Sequence, residues 1–226
     1  MDRAKVILHM ETSIDGKIEG YFADAPLTGQ VGSVYYDLIP KLGDASGGGS
    51  YTACLYSATA SPDFGKYKDA DVPEGDFIVP APEGKYHFVF DRYGKCNWDT
   101  DENEGGKVVE VLTRQVRKEF LAYLREQKIS YIFAGEKDLE VEHALEKIKS
   151  LFKVDTLVLC GGATINGVFL KAGMVDGISQ VIVPYVEGNH EQKGTAETDV
   201  FVPQAFLLKS ATPIHDGGVH LIWERK

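Results

Sequence analysis

Between Thr156 and Gly188 the chain reads TLVLCGGATINGVFLKAGMVDGISQVIVPYVEG, and this run leaves few choices of fold. Thr156 to Cys160 is an apolar run of strand length, Gly161-Gly162 turns, a short helix follows, and Val181 to Val183 marks a second apolar strand. Two glycines at the carboxyl end of a strand permit a close approach to the backbone, because no Cβ stands in the way. Thr164 and the amides behind it lie at a helix start, where unpaired N–H groups and the helix dipole favour an anion such as a phosphate. Tight packing is the commoner use of such glycines, so the turn alone does not decide between the two.

The preceding residues repeat the same period. Val108 to Leu112 reads as a strand, and Thr113 as the cap of a helix carrying Val116, Phe120 and Leu124 on one face. Ile129 to Ala134 is the next strand. Asp138 is placed to cap a helix whose Val141, Leu145, Ile148 and Phe152 form one stripe. Strand and helix in alternation argue for a mostly parallel sheet with helices on its faces. After the Gly-Gly helix the helical period stops. Ile178 to Val183, Ala205 to Ala211 and Val219 to Glu224 read as strands, the last two joined through PIHDGG, which adds antiparallel C-terminal strands.

Nearer the N-terminus, Ala4 to Met10 and Tyr86 to Asp91 are strands, and Val31 to Leu42 has helical spacing. Phe22 to Gln30 and Gly43 to Ser50 (GDASGGGS) read as loops, Tyr51 to Tyr56 as a strand, and the proline-rich residues 61–85 as a surface excursion. With 226 residues, 43% hydrophobic, and no internal repeat, one domain over 1–226 is expected.

The formal net charge of −10 argues against a nucleic-acid partner, which would require a basic footprint. No apolar run reaches the ~20 residues of a membrane span, and a cytoplasmic protein without membrane contact is expected. Cys54, Cys96 and Cys160 show no CxxC spacing, and Cys54 and Cys160, inside apolar runs, read as buried free thiols. The six histidines lack HxxxH or HExxH spacing, so no metal site is expected. GxSxG and GxGxxG are absent, which disfavours a hydrolase elbow and a Rossmann dehydrogenase.

The stretch GGATINGVFLKAGMVD followed by VIVPYVEG resembles the C-terminal signature of the RibD-type reductases, which share the dihydrofolate-reductase fold. The likeness extends along nearly the whole chain. TSIDGKI is similar to the family's first-strand SxDGxI, FDRYGKCNW to a strand ending in Asp before a Gly-Lys/Arg turn, and residues 121–148 to a helix–strand–helix run of its stand-alone members. The resemblance implies an α/β fold with a dihydrofolate-reductase-like mixed sheet. It also implies hydride transfer from NADPH, with NADH as the other option, to a carbonyl or imine carbon of a ribosylamino-pyrimidine or related heterocycle. Such proteins are commonly homodimers paired through the sheet edge or C-terminal strands.

Carried onto this sequence, the resemblance puts Gly161, Gly162 and Thr164 on the cofactor pyrophosphate. It places the Ser13–Ile18 loop beside the nicotinamide and substrate, with Ser13 on the carboxamide and Asp15 as the catalytic candidate, accepting from substrate or a proton relay. Arg92 becomes a candidate for a 2′-phosphate. Where relatives carry Gly-Arg-x-Thr after a strand, this chain has Ser57-Ala58-Thr59-Ala60, leaving the Ser57 and Thr59 hydroxyls as cofactor candidates without an arginine. Cys160 replaces an acid that helps hold the pyrimidine, and Asp176-Gly177 replaces Asp-Glu. These departures motivate a second reading, a non-catalytic or repurposed nucleotide-binding protein with the same fold. A folate-type reductase is a third, but it lacks a placeable carboxylate for a pterin.

Overall fold

The computed structural model describes residues 2–81 and 84–226; within the 61–85 excursion, residues 82 and 83 lie outside the described residues. Tertiary contacts divide the chain into two compact units. One comprises Ala45–Asp155 and the N-terminal tail to Ala4, the other Lys5–Asp44 and Thr156–Lys226.

The second unit is built on β1 (Lys5–Thr12). β1 lies between two parallel partners, β7 (Thr156–Leu159) and β8 (Gly177–Ile182), with Leu8 opposite Leu159 and Thr12 opposite Ile182. The near-continuous burial of β1 is what parallel strands covered on both faces require. β10 (Val219–Arg225) adds to β8 antiparallel, and β9 (Phe206–Pro213) adds to β10, so the strand order is β7-β1-β8-β10-β9. Helix α1 (Pro26–Leu42) begins five residues earlier than the sequence spacing suggests, because Pro26 is pre-set for a first helical turn. The Thr28 hydroxyl, donating to Phe22 O at 2.6 Å, ties the turn before it in place. Val31 is buried with Phe22, Val181 and Val183 beneath this helix. Helix α5 (Ala163–Lys171) follows the Gly-Gly turn and buries Ile165, Asn166 and Phe169.

In the first unit β2 (Ala45–Gly49), β3 (Tyr86–Phe90), β5 (Gly106–Leu112) and β6 (Ser130–Phe133) run parallel as neighbours, with the short β4 (Glu102–Asn103) antiparallel on β5. Trp98, Leu112, Phe120, Leu124 and Tyr131 form the core on one side. Helix α4 (Val141–Phe152) buries the stripe Val141, Leu145, Ile148 and Phe152 as its spacing requires.

Two sequence expectations are corrected here. The glycine run at 45–49 is strand β2, and Tyr51–Tyr56 lies in helix α2 (Ser50–Tyr56). Ladder pairing uses only backbone N–H and C=O, so β2 pairs Ser46–Gly49 with His87–Phe90 with hardly a side chain to announce it. Tertiary context overrides the strand tendency of YTACLY, and the helix buries Ala53 while Tyr51 and Tyr56 stay exposed. The expected caps also shift. Thr113 donates to Arg92 O at 2.7 Å, so helix α3 (Lys118–Glu126) starts after Arg117. Asp138 pairs with the Arg92 guanidinium at 2.7 Å, and α4 starts after Glu140.

Candidate active site

Because β1 is parallel to both neighbours, the carboxyl ends of β7, β1 and β8 open on one edge of their sheet, the side on which open α/β sheets bind ligands. Three segments leave from that edge: the Gly161-Gly162 turn, the Ser13–Ile18 loop and the chain beyond Val183.

The turn comes first. Gly161 has φ +89°, and a Cβ there would stand 2.8 Å from Met10 Sδ, so any other residue is strained at this position. The peptide joining it to Gly162 is cis. Gly162 is the N-cap of α5 and supplies no side-chain cap. The amides of the first α5 turn, from Ala163 to Ile165, have no intrahelical acceptor and no protein acceptor among the described residues. The Thr164 hydroxyl is exposed and donates to Glu197 Oε2 at 3.2 Å, while Lys193 Nζ holds the same oxygen at 3.0 Å. Asn166, fully buried one turn into the helix, donates to Thr195 O at 2.7 Å and leaves its Oδ1 without a hydrogen-bond partner among the described residues. A Cβ on Gly167 would strike Glu197 O, so the 193–197 segment packs directly on the helix. Sequence reasoning missed Asn166 and Glu197. Asn166-Gly167 is a visible dipeptide, whereas nothing in the sequence marks Glu197.

The loop is braced from within and from across the sheet. Ser13 Oγ donates to Asp15 Oδ1 at 2.7 Å and accepts the Lys17 amide at 3.0 Å. Asp15 Oδ1 and Oδ2 also accept the Glu187 and Gly188 amides, each at 2.9 Å. The Ser13 hydroxyl, with the two amides behind it, holds the Asp15 carboxyl down at about 2. Gly16 takes φ +79° and completes the Asp-Gly turn. Lys17 is anchored by its Nζ to Gln192 O at 2.7 Å.

Beneath α1 the same strands carry a buried polar row. His9 Nδ1 meets Ser179 Oγ at 2.9 Å, Ser179 Oγ meets His220 Nε2 at 2.8 Å, and Tyr35 stacks on the His9 ring at 4.3 Å. Glu11 lies against Gly32, and burial pushes its carboxyl up to about 7.

The remaining sequence candidates fall in the other unit. Ser57 ends α2, and Thr59 forms an isolated bridge with Asn97; neither hydroxyl has a hydrogen bond among the described residues. Arg92 donates from Nε to Lys137 O at 2.7 Å, pairs with Asp138, and lies over the Tyr93 ring. Ser13, Asp15, Gly161, Gly162 and Thr164 are therefore brought to one sheet edge, and Ser57, Thr59 and Arg92 belong to the unit centred on β3.

The sequence matches the RibD C-terminal domain over residues 4–217. The chain belongs to the RibD C-terminal domain family. Solved structures agree on the fold. A pyrimidine reductase-like protein of Corynebacterium diphtheriae superposes with a TM-score of 0.70 at 14% identity, covering 100% of this chain and 93% of that one. The riboflavin biosynthesis reductase of Saccharomyces cerevisiae gives 0.64 at 17%, covering 100% and 91%. A diaminohydroxyphosphoribosylaminopyrimidine deaminase/5-amino-6-(5-phosphoribosylamino)uracil reductase of Thermotoga maritima gives 0.62 at 16%, covering 99% of this chain and 57% of its own. No curated protein matches the chain by sequence. The family's α/β architecture, a parallel core with antiparallel C-terminal strands, is the one described above. Among the described residues no helix is long and apolar enough to cross a membrane.

Proposed function

We propose that the protein is an NADPH-dependent reductase acting on a carbonyl or imine carbon of a heterocycle of the ribosylamino-pyrimidine type. The observation that carries this reading is the Gly161-Gly162 turn. It opens α5 with unpaired amides at the sheet edge where the Ser13–Asp15 loop is locked in place. The donor set suits a phosphate-bearing cofactor, because first-turn amides, the Thr164 hydroxyl and the helix dipole all favour an anion. When bound, NADPH supplies the hydride, and NADH is the alternative donor.

The chain's own residues supply binding and orientation. Gly161 and Gly162 leave the turn without side chains, so a pyrophosphate can reach the backbone. Asn166 fixes the 195 segment against α5. Asp15 stays ionised at working pH, so it serves as a hydrogen-bond acceptor and loop brace, not as a proton donor. Ser13, whose proton is committed to Asp15, shapes the loop and keeps an acceptor lone pair for a carboxamide N–H. Ser57 and Thr59 offer hydroxyls to the cofactor, and Arg92 is the 2′-phosphate candidate in exchange for its Asp138 partner. We also assign a homodimer, paired through β9, which ends the strand order and exposes Leu207 and Leu208, and a cytoplasmic setting.

A specific observation favours the second reading, a repurposed protein with weak nucleotide binding: the Glu197 carboxylate already sits on the Thr164 hydroxyl. Titration with NADPH and NADH, followed by nicotinamide fluorescence, separates the two. Micromolar NADPH binding that is lost in Gly162→Leu, with NADPH oxidised on addition of the ribosylamino-pyrimidine, supports the reductase. No binding of either nucleotide at millimolar concentration overturns it.

A further inference from the structure

The unit built on β3 and β5 contains a second concentration of reactive side chains that the reductase reading leaves unused. Asp91 directly follows β3, Cys96 lies in the turn after it, Glu110 sits mid-way along β5, and Cys54 lies on α2. Asp91, Cys96 and Glu110 are each 0% exposed, and Cys54 is half-buried. A carboxylate oxygen from each acid and the Cys96 sulfur lie within 4.8 Å of one another, and Cys54 Sγ stands 3.2 Å from Cys96 Sγ. Two acids and two thiols thus converge, three of them fully buried and the fourth, Cys54, half-buried.

Buried carboxylates are normally surrounded by donors, and the two here differ. Asp91 accepts the amides of Tyr93, Lys95 and Cys96, which fix its orientation. Glu110 Oε1 accepts from Trp98 Nε1, but Glu110 Oε2 has no hydrogen-bond partner among the described residues. An unpartnered carboxylate oxygen beside a second buried acid lacks a positive charge, and among the described residues no Lys or Arg is paired with either acid.

We propose that Asp91, Cys96, Glu110 and Cys54 form a binding site for a single zinc-class divalent cation. Zinc accepts exactly this kind of mixed set, thiolate sulfur at about 2.3 Å and carboxylate oxygen at about 2.0–2.2 Å, which spaces ligand atoms roughly 3.3–3.8 Å apart around a tetrahedron. The ligand atoms of Asp91, Cys96 and Glu110, all within 4.8 Å of one another, approach that spacing, and Cys54 Sγ, 3.2 Å from Cys96 Sγ, supplies the fourth donor. Thiolates and carboxylates together select a borderline ion over magnesium or calcium, which take all-oxygen sets. The Trp98 indole and the turn amides supply the outer hydrogen bonds that orient the ligating acids. The signal was invisible in the sequence because it contains no histidine and no fixed ligand spacing. The site is structural, since four protein ligands leave no open coordination position for a substrate.

The test is a cobalt titration of the full-length, thiol-reduced, chelator-treated protein under anaerobic conditions, with zinc content measured on the protein as purified. The expected result is one Co2+ per chain, with thiolate-to-cobalt absorption in the near ultraviolet, intense tetrahedral d–d bands, and displacement by Zn2+. Affinity should fall at least tenfold in Glu110→Gln, which keeps the side-chain shape. Cys54→Ser, at a half-buried helix position, provides the same comparison if Glu110→Gln does not fold. Absence of stoichiometric Co2+ or Zn2+ binding at micromolar metal overturns the proposal. So does an unchanged affinity in both variants. Isolation of a Cys54–Cys96 disulfide that takes up no metal after reduction also overturns it, and would make the pair a redox couple instead. The readout is independent of NADPH binding, so failure of either proposal leaves the other intact.

Discussion

The Asp15 carboxylate accepts the Gly188 amide at 2.9 Å across 173 residues of chain, and this bond joins the loop after β1 to the segment after β8. With the Glu187 amide and the Ser13 hydroxyl, it gives the sheet edge a rigid wall built around one exposed charge. Asp15 and Gly188 are thus coupled through the fold and not through any local motif.

Replacement of Asp15 by Asn should loosen that wall. The amide group can accept one of the two backbone N–H groups but presents its own N–H groups to the other. Hydrogen exchange should accelerate at Glu187 and Gly188 while the β1–β7 ladder stays protected. The pH dependence follows from the lowered pKa. A carboxyl held at about 2 in the fold contributes stability that is present above its unfolded value near 4 and is lost as pH falls toward 2. An NMR titration in which the Gly188 amide shift moves with a midpoint near 4 would contradict the clasp.

Gly161→Ala combines two penalties, a positive φ that L-residues resist and a Cβ pushed to 2.8 Å from Met10 Sδ. Together these should cost about 1–3 kcal/mol in urea denaturation. Measured against Met10→Ala alone, which carries its own burial cost, Gly161→Ala should lose the steric part of its penalty and keep the backbone part. Full recovery would mean that the φ constraint is absent.

Glu11, pushed up to about 7 by burial, should make stability fall as pH rises. Between about pH 4.5 and 7 the folded protein keeps this proton while the unfolded chain has released it, so each step upward favours unfolding. Glu11→Gln should therefore flatten the profile in that window and stabilise the protein at pH 8. Buried His87, lowered to about 4, acts in the opposite sense, since stability is lost as pH falls from about 6.5 toward 4. The comparison is between chemical denaturation curves of wild type and variant from pH 5 to 8, where a difference that does not grow with pH would refute the assignment.

Glu197 places a negative charge at the N-terminus of α5, on the Thr164 hydroxyl a phosphate would use. Glu197→Gln should tighten NADPH binding roughly two- to five-fold, the scale of one charge at a helix end, with a smaller gain at high salt. Weaker binding in this variant would show that the carboxylate aids the site, for example by holding Lys193 in place.

Much of the scaffold was legible in local pattern. The α4 stripe, the strand–Gly-Gly–helix run and the C-terminal hairpin obey periodicities of neighbouring residues, and they appear where those periods place them. β2 was not legible, because its glycines contribute backbone pairing and no hydrophobic signal, and α2 was read as a strand for want of that context. The caps show the same limit. Thr113 and Asp138 have cap chemistry, but Arg92 O and the Arg92 guanidinium, distant in sequence, claimed their side chains first.

At the candidate site, residue types alone showed which backbone can turn where: Gly161-Gly162 after a strand, Asp15-Gly16 after another, and a helix start beside Thr164. Those are properties of residue type and short-range spacing. The fold set what the side chains do there. It committed Asp15 to the amides at 187 and 188, placed Glu197 on Thr164, and gathered Cys54, Asp91, Cys96 and Glu110 into one buried cluster. The physical reason is that hydrogen bonds and charge interactions depend on distance in space. A chain folded into parallel strands brings residues together across as many as 173 positions, and no local pattern records that closeness.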